Sequence, residues 1–507
     1  MFTDSQNSIL LYLTMIYFAF LVGVSVWIGL RKIRTYDDYN VASRNVSIYP
    51  LILTYVGTAI GGSTLLGFMT TGYDLGMREM WYMIAVFAFG VVMAAFMVKR
   101  IRRLGEKYQY VTIGDVTAHR FGNHARVPTT ISVLTAYAAI TGMQFIAIGL
   151  VLNLVAGVPL TLAIVVSAIM LTLKTVFGGL KAVIWQDAVH GTIQTLAVFG
   201  LFVAVTVIAG DTSTIRSNAA AMGELGNLDM MNIGAAELGV YALTLGAYQL
   251  VRQDLWQRAW AGKNLKTVIR GYWISIVVAA VTTGVVIWIG VVARYGLGIE
   301  SEDSALIYYE VSNAIMPFEV VVVMVVALLA TVISTADSFF MAGSSSIIND
   351  IIRPLLKGTP TQKALLRWSR LSVVITGVLA LGLSLAVTEL IGLWTTGTAM
   401  LVSGLLFPAL LALFAKKISG RGAIYAMWAG LIISVGWTLL GSPIGHPVYF
   451  GLPASVLTYV IFHYLDRGRL VEYAGKPPKI ADSSPQESHP VPPRENENAT
   501  TGSVSKR

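Results

Sequence analysis

Thirteen apolar runs, separated mostly by short polar connections, occupy the chain up to about residue 466. They fall at roughly Ile9–Leu30, Pro50–Thr71, Met80–Met97, Thr130–Ala156, Leu160–Phe177, Ala188–Ala209, Leu238–Leu250, Tyr272–Val292, Val320–Ile348, Leu371–Val387, Leu393–Phe414, Ala423–Leu440 and Val448–Tyr464. Most approach the ~20 residues that cross ~30 Å of hydrocarbon. The pattern predicts an all-α integral membrane domain over residues 1–466 with about thirteen transmembrane helices. Two of the longer connections are informative. Residues 210–236 predict a partly ordered outer cap, and residues 252–270 a basic inner loop whose Trp256 and Trp260 suit the membrane interface. From about Arg467 the chain turns Pro-, Ser- and Glu-rich, a composition that cannot bury a core, so 467–507 reads as a disordered cytoplasmic tail. Asn498-Ala499-Thr500 in that tail matches a glycosylation pattern, which a cytoplasmic segment does not use.

Spans two to six and seven to eleven form two sets of five with opposite starting orientation, about 47–209 and 236–415, as an inverted repeat requires. The opening helix of each set is interrupted. In the first the break is Gly57-Thr58-Ala59-Ile60-Gly61-Gly62-Ser63-Thr64, and in the second Thr244-Leu245-Gly246-Ala247-Tyr248-Gln249. Glycines also serve close helix packing, and Gly57-xxx-Gly61 fits that use. Paired interruptions at matching positions favour discontinuous helices around a midplane binding site.

The ninth span carries hydroxyls at Thr331, Ser334, Thr335 and Ser338, spaced i, i+3, i+4, i+7 on one helical face. Lipid offers such a face no partner. Single hydroxyls commonly bond back to their own i−4 carbonyls, but four in register beside Asp337 favour a site. A monovalent cation is held by neutral carbonyls and hydroxyls, whereas clustered carboxylates favour divalent ions. Ser334 and Thr335 supply hydroxyls, and a helix broken at Gly57–Gly62 frees carbonyls near Gly57 and Ile60. Three carboxylates lie at or near apolar spans. Asp187 is a candidate for a second cation site or for an interfacial helix cap; Asp337 steadies the ion site or pairs elsewhere; Glu389 reads as interfacial.

Composition agrees with a membrane protein: 55% hydrophobic residues, 12% charged and mean hydropathy +0.69. The net charge of +9 is distributed as a topological signal. With the N-terminus outside and the C-terminus in the cytoplasm, only Arg78, Arg216 and Arg294 of 36 basic residues face outward, as the positive-inside rule demands. That distribution argues against a nucleic-acid surface. The absence of Cys excludes disulfides and thiolate chemistry. MFTDSQNS has no basic leader pattern, so the first run is read as a span. His190 stands without a second metal-ligating His, and no nucleophile elbow or phosphate-binding loop occurs. An enzyme is not expected, nor is an organic cofactor.

The chain resembles the sodium:solute symporter family. The resemblance is carried by Ala330-Thr331-Val332-Ile333-Ser334-Thr335-Ala336-Asp337-Ser338, by Gly178-Gly179-Leu180-Lys181-Ala182-Val183-Ile184-Trp185-Gln186-Asp187 and by Gln257-Arg258-Ala259-Trp260-Ala261-Gly262-Lys263-Asn264, and it covers roughly residues 9–466. It implies the inverted-repeat fold of amino-acid and nucleobase symporters and sodium-driven solute uptake at the cell membrane. The family's sodium site carries over to backbone oxygens of Gly57, Ile60 and Thr331 and hydroxyls of Ser334 and Thr335. Relatives commonly have Ala where Gly57 and Thr331 stand; both positions act through carbonyls, so the departure is compatible with binding. Asp187 with serines of the ninth span resembles a second sodium site of some members, leaving Asp187, Asp337 and Ser338 as a possible second cation site or network. Tyr248 aligns with an aromatic that closes the inner gate in sugar-transporting members, or simply packs. Proline-transporting members can place a Trp where Ser63 stands, which speaks against proline here. Ser63, Thr64, Gln144 and Tyr248 are the candidate solute-facing groups, suggesting a small polar solute.

The expectation is a sodium-coupled symporter importing that solute by alternating access, with sodium, solute and lipid bilayer as partners and the oligomeric state open. Proton coupling through Asp187 or Asp337 is the mechanistic alternative. A membrane sensor or scaffold ranks below it because the tail holds no kinase or dimerisation helix, and a passive channel because no charged ring is seen.

Overall fold

The computed structural model describes residues 4–356, 358, 360–387, 390–467 and 470–472; of Ser63 it describes the backbone path alone. Glu389, the glycosylation-like triplet and nearly all of the expected tail lie outside the described residues. Among the described residues the protein is almost entirely helical, as burial in lipid demands of a backbone that must satisfy its own hydrogen bonds. The one sheet among the described residues is a two-residue antiparallel pair, Lys417–Ile418 with Val471–Glu472.

Among the described residues, ten helices are long and apolar enough to cross a membrane. The expectation of thirteen exceeds this by three because four spans are not single, separate helices. Spans five and six are one 50-residue helical run, Leu160–Ala209, interrupted at Gly179 (φ 53°, ψ −178°). Glycine alone adopts that conformation without strain. The run would be ~75 Å long if straight, so the Gly179 bend is what folds it into two crossings. The second span is assembled from Ile48–Ala59 and Phe68–Leu75, and the seventh from Ala235–Tyr241 and the turns that follow it.

Three helices are the most deeply buried among the described residues: the most apolar window of Asn123–Leu154 is 83% buried, that of Gly392–Phe414 72% and that of Phe318–Leu355 67%, against 28% for Ser5–Arg31 and 22% for Val448–Leu465. Ser5–Arg31 accordingly presents Ile16, Phe20 and Leu30 outward, where lipid covers them at no hydrophobic penalty.

The outer loop is ordered as a cap. It contains helix Thr212–Ala221 and is pinned by Glu224, which accepts from Arg294 (2.6 Å) and the Tyr295 hydroxyl (2.8 Å). The inner loop departs from expectation. Gln253–Ala261 is a helix with all nine residues buried, and the Trp256 and Trp260 indoles donate to the carbonyls of Leu250 (3.0 Å) and Ile101 (3.0 Å). These tryptophans are interior anchors, because their N–H groups find acceptors within the protein and need no headgroup water. Val46 ties the same loop down through backbone bonds to Ala261 (3.0 Å) and Lys263 (2.9 Å).

Candidate functional site

Helix Ile48–Ala59 stops where Ile60 leaves helical geometry (φ −106°, ψ 85°), and the chain resumes as a wide π-turn, Ser63–Gly67, leading into Phe68–Leu75. Consecutive glycines at Gly61 and Gly62 make that turn-out inexpensive. The break is stitched from two sides. The Gly62 N–H donates to Gln144 Oε1 (3.0 Å), and the Thr64 hydroxyl donates to the Ala59 carbonyl (3.0 Å). Both groups satisfy backbone atoms that an intact helix would have paired.

The matching interruption is built differently. Ala242–Gly246 forms a π-turn, Gln249–Val251 a tight 3₁₀ turn, and the backbone becomes extended only at Arg252. This span is distorted over the expected stretch rather than unwound there.

Helix Phe318–Ser346 crosses the first break with its hydroxyl face inward; Thr331, Ser334 and Ser338 are fully buried and Thr335 nearly so. The Thr335 hydroxyl donates to the Gly57 carbonyl at 3.0 Å. The absence of side chains at Gly57 and Gly61 permits this approach: a Cβ at Gly57 would sit 2.7 Å from Ser334 Oγ, and one at Gly61 2.6 Å from Thr335 Oγ1. Ser334 donates to Asp187 Oδ1 (2.5 Å). Thr331 bonds its own Ala327 carbonyl (2.7 Å), so its hydroxyl is spent within the helix. The structure thus brings Gly57, Ser334 and Thr335 into contact, one turn from Thr331 and beside the Ile60 turn.

Below these oxygens lies a buried polar network that the motifs only partly foretold. Thr54 donates to Asp187 Oδ2 (2.5 Å), Thr58 lies 2.8 Å from Ser338 Oγ, and Ser338 donates to the Ser334 carbonyl (3.0 Å). The fully buried Arg258 joins three elements. Its Nε donates to Thr54 Oγ1 (2.9 Å), its terminal nitrogens to the Asp254 carbonyl (3.2 Å) and to Ser338, and it stands 3.5 Å from Asp187 Oδ2. Asp254 in turn binds Arg252 (2.7 Å) and accepts from the Tyr137 hydroxyl (2.7 Å). Burial pushes the Asp254 carboxyl upward, but Arg252 beside it outweighs burial and holds it below its ordinary value. Asp187 itself faces the Arg258 guanidinium.

Asp337 turns away from this network. It pairs with Lys174 and accepts from the Thr175 hydroxyl (2.8 Å). His190 meets the Tyr17 hydroxyl (2.9 Å), and no cluster of metal-ligating side chains occurs among the described residues. Tyr248 stands apart from the break. It is buried against Tyr137 (ring centroids 6.5 Å apart), with Arg252 5.4 Å over its ring. Tyr137 and Gln144 are two turns apart on helix Arg126–Ala156, so Tyr248 and the break are separated by ~10 Å along that axis.

Sequence reasoning missed Thr54, Thr58 and Lys174 and gave Arg258 no role. Thr54, Thr58 and Gly61 repeat in the second span the i, i+4, i+7 pattern that marks the ninth, which was an available signal. Arg258 carried none, since its charge reads as part of a cytoplasmic loop.

The model of the sodium:solute symporter family matches residues 39–430. The sodium/pantothenate symporter of Escherichia coli is 26% identical over 470 residues, 88% of this chain and 94% of its own length. The osmoregulated proline transporter of Bacillus subtilis is 25% identical over 456 residues, 86% and 90% of the two chains. Among solved structures, a sodium-coupled sialic acid symporter in a substrate-bound outward-open state superposes with a TM-score of 0.76 at 17% identity, over 91% of this chain and 97% of that one. Mhp1, a nucleobase-cation-symport-1 family transporter in a closed conformation, gives 0.56 at 12% identity over 85% and 95%. The fold is the inverted-repeat fold of these symporters, with discontinuous helices. With a broken helix facing a hydroxyl stripe inside a multi-pass membrane bundle, and the family model spanning most of its length, this chain belongs to the sodium:solute symporter family, a transporter that couples sodium to solute movement and not an enzyme.

Proposed function

We propose that the chain imports a small polar organic solute across the cell membrane by alternating access, with sodium held by the Gly57, Ile60 and Thr331 carbonyls and the Ser334 and Thr335 hydroxyls. The observation that carries this reading is the 3.0 Å approach of Thr335 Oγ1 to the Gly57 carbonyl, two neutral oxygens on different helices at a helix break. One small cation inserted there would tie the helices together and shift the population toward the solute-competent arrangement. The energetics suffice. One charge moving through 100 mV yields about 2.3 kcal/mol, which sustains roughly a fortyfold solute gradient.

Residues 1–466 act as one unit, with repeats 47–209 and 236–415, the N-terminus outside and the C-terminus in the cytoplasm, on the distribution of basic residues. Asp187 and Ser338 form a network completed by Arg258 rather than a second cation site, while Asp337 neutralises Lys174. Thr64 and Gln144 shape the break, and together with Ser63 and Tyr248 they are the proposed solute-facing groups for a small polar solute.

The test is uptake into proteoliposomes across sugars, amino acids, carboxylates and vitamins, driven separately by sodium and pH gradients. Sodium-dependent uptake that weakens in Ser334→Ala and Thr335→Ala supports the site. Unchanged sodium activation in both variants removes it, and uptake driven by pH without sodium indicates a proton as the coupling ion, with buried Asp187 as its carrier.

A further inference from the structure

The start of helix Gln362–Ala386 and the segment following helix Asp4–Arg31 frame a cationic pocket away from the transport site. Its volume is about 500 Å³ and it is lined by Ile33, Arg34, Lys363, Leu366, Arg367 and Arg370. Four of the six lining residues are permanent cations and none is a carboxylate. The nearest acids in sequence are both engaged: Asp37 pairs with Arg44 (3.7 Å), and Asp38 with Lys181 (3.3 Å), Ser43 and the Arg34 backbone N–H (3.1 Å). The Arg370 Nε is buried and makes no hydrogen bond, while its guanidinium lies 5.9 Å over the Phe177 ring. A buried guanidinium donor without an acceptor is costly and invites an anionic oxygen.

What lies above the pocket identifies the anion's source. On helix Gln362–Ala386, residues Lys363, Arg367 and Arg370 continue on the same face into Val374, Val378 and Leu385, which are 39%, 65% and 44% exposed. The basic end and the apolar stripe form one strip, ~20 Å of which is apolar. Neighbouring Leu173, on the helix that brings in Phe177, is 51% exposed. Gly29 lets helix Asp4–Arg31 pack against that same helix, so tightly that a Cβ there would lie 2.3 Å from the Phe177 carbonyl.

We propose that this pocket binds the phosphate-bearing headgroup of an anionic phospholipid, with its acyl chains lying along the Val374–Val378–Leu385 stripe. Fixed basic pockets between spanning helices at a membrane face recognise such headgroups. Free phosphate would satisfy the cations but leave the stripe without a role. The proposal is independent of the transported solute, of sodium binding and of which face is cytoplasmic.

The experiment follows thermal unfolding of the full-length protein in detergent as phosphatidylglycerol, phosphatidylcholine or inorganic phosphate is titrated in. The wild type is expected to be stabilised saturably by phosphatidylglycerol alone. The double variant Lys363→Gln, Arg367→Gln, at two exposed positions, should shift the half-effective lipid concentration upward by about thirtyfold, from the loss of two cations near a membrane surface. A charge-matched control, Lys99→Gln with Arg103→Gln, should leave it unchanged. The proposal is overturned if phosphatidylcholine works equally well, if inorganic phosphate reproduces the full effect, or if the control loses as much as the pocket variant.

Discussion

Replacing Gly61 by Ala isolates the contact on which the proposed sodium site depends. The new Cβ would lie 2.6 Å from Thr335 Oγ1, 2.7 Å from Cγ2 and 2.9 Å from Cβ, where ordinary contact begins at 3.4 Å. Every atom of the Thr335 head is thus 0.5–0.8 Å too close (3.4 minus 2.9 and 3.4 minus 2.6), and rotating χ1 cannot clear all three. Overpacking of this kind costs about 1–3 kcal/mol. The strain falls on the arrangement in which the broken helix and the hydroxyl helix touch, so it subtracts from sodium binding. The half-saturating sodium concentration for uptake should rise about 5- to 150-fold, with less change in the solute KM at saturating sodium. Gly57→Ala is the milder comparison: its Cβ would meet a single close atom, the Ser334 hydroxyl at 2.7 Å, which can yield by rotating, so a smaller rise is expected although that hydroxyl belongs to the proposed site. Adding Thr335→Ser to Gly61→Ala removes the methyl, keeps a mobile hydroxyl and should recover part of the loss. Sodium activation of Gly61→Ala within twofold of wild type, or equal damage from Gly57→Ala, would refute the reasoning.

Lys174→Met leaves Asp337 buried without its partner, a loss of about 3–5 kcal/mol; thermal unfolding should drop sharply and recover when Asp337→Asn is added. Arg258→Lys keeps the charge but cannot span Thr54, Asp187 and Ser338 together. With about 1.5–3 kcal/mol for each lost charge-assisted bond, sodium-driven uptake should fall at least tenfold while protein yield is retained. Asp38, outside the spans, is raised by burial but held at about 2 by Ser43, Arg34, Thr35 and Lys181, against an ordinary 3.8. Its folded value is depressed, so its contribution to stability is complete above about pH 3.8 and disappears as pH falls through about 2. The stability gap between wild type and Asp38→Asn should close across that window in a pH series of unfolding curves.

The membrane class and the broken second span were legible because lipid permits few backbone solutions and glycine pairs mark the exception. The stripe at Thr331–Ser338 was legible because hydroxyls at helical spacing stand out in an apolar run. Thr335 and Ser334 were readable for the same reason, whereas which hydroxyl bonds within its own helix, as Thr331 does, depends on what faces it. Trp256 and Trp260 were misread because a basic loop rich in Trp has the same composition whether it lies on a membrane or folds beneath a bundle. Long-range pairs such as Lys174 with Asp337 leave no local periodicity, since their partners are 163 residues apart.

The bend at Gly179 has a mechanical consequence. Upstream of it Lys174 and Thr175 grip Asp337; downstream Asp187 grips Ser334, less than one turn away on the same helix. A single length of chain therefore holds one turn of Phe318–Ser346 from both sides, like a wrench on a bolt. That helix can tilt together with its holder, but it cannot screw about its own axis without surrendering a buried ion pair. Motion that opens either side of the protein must carry the two as one piece.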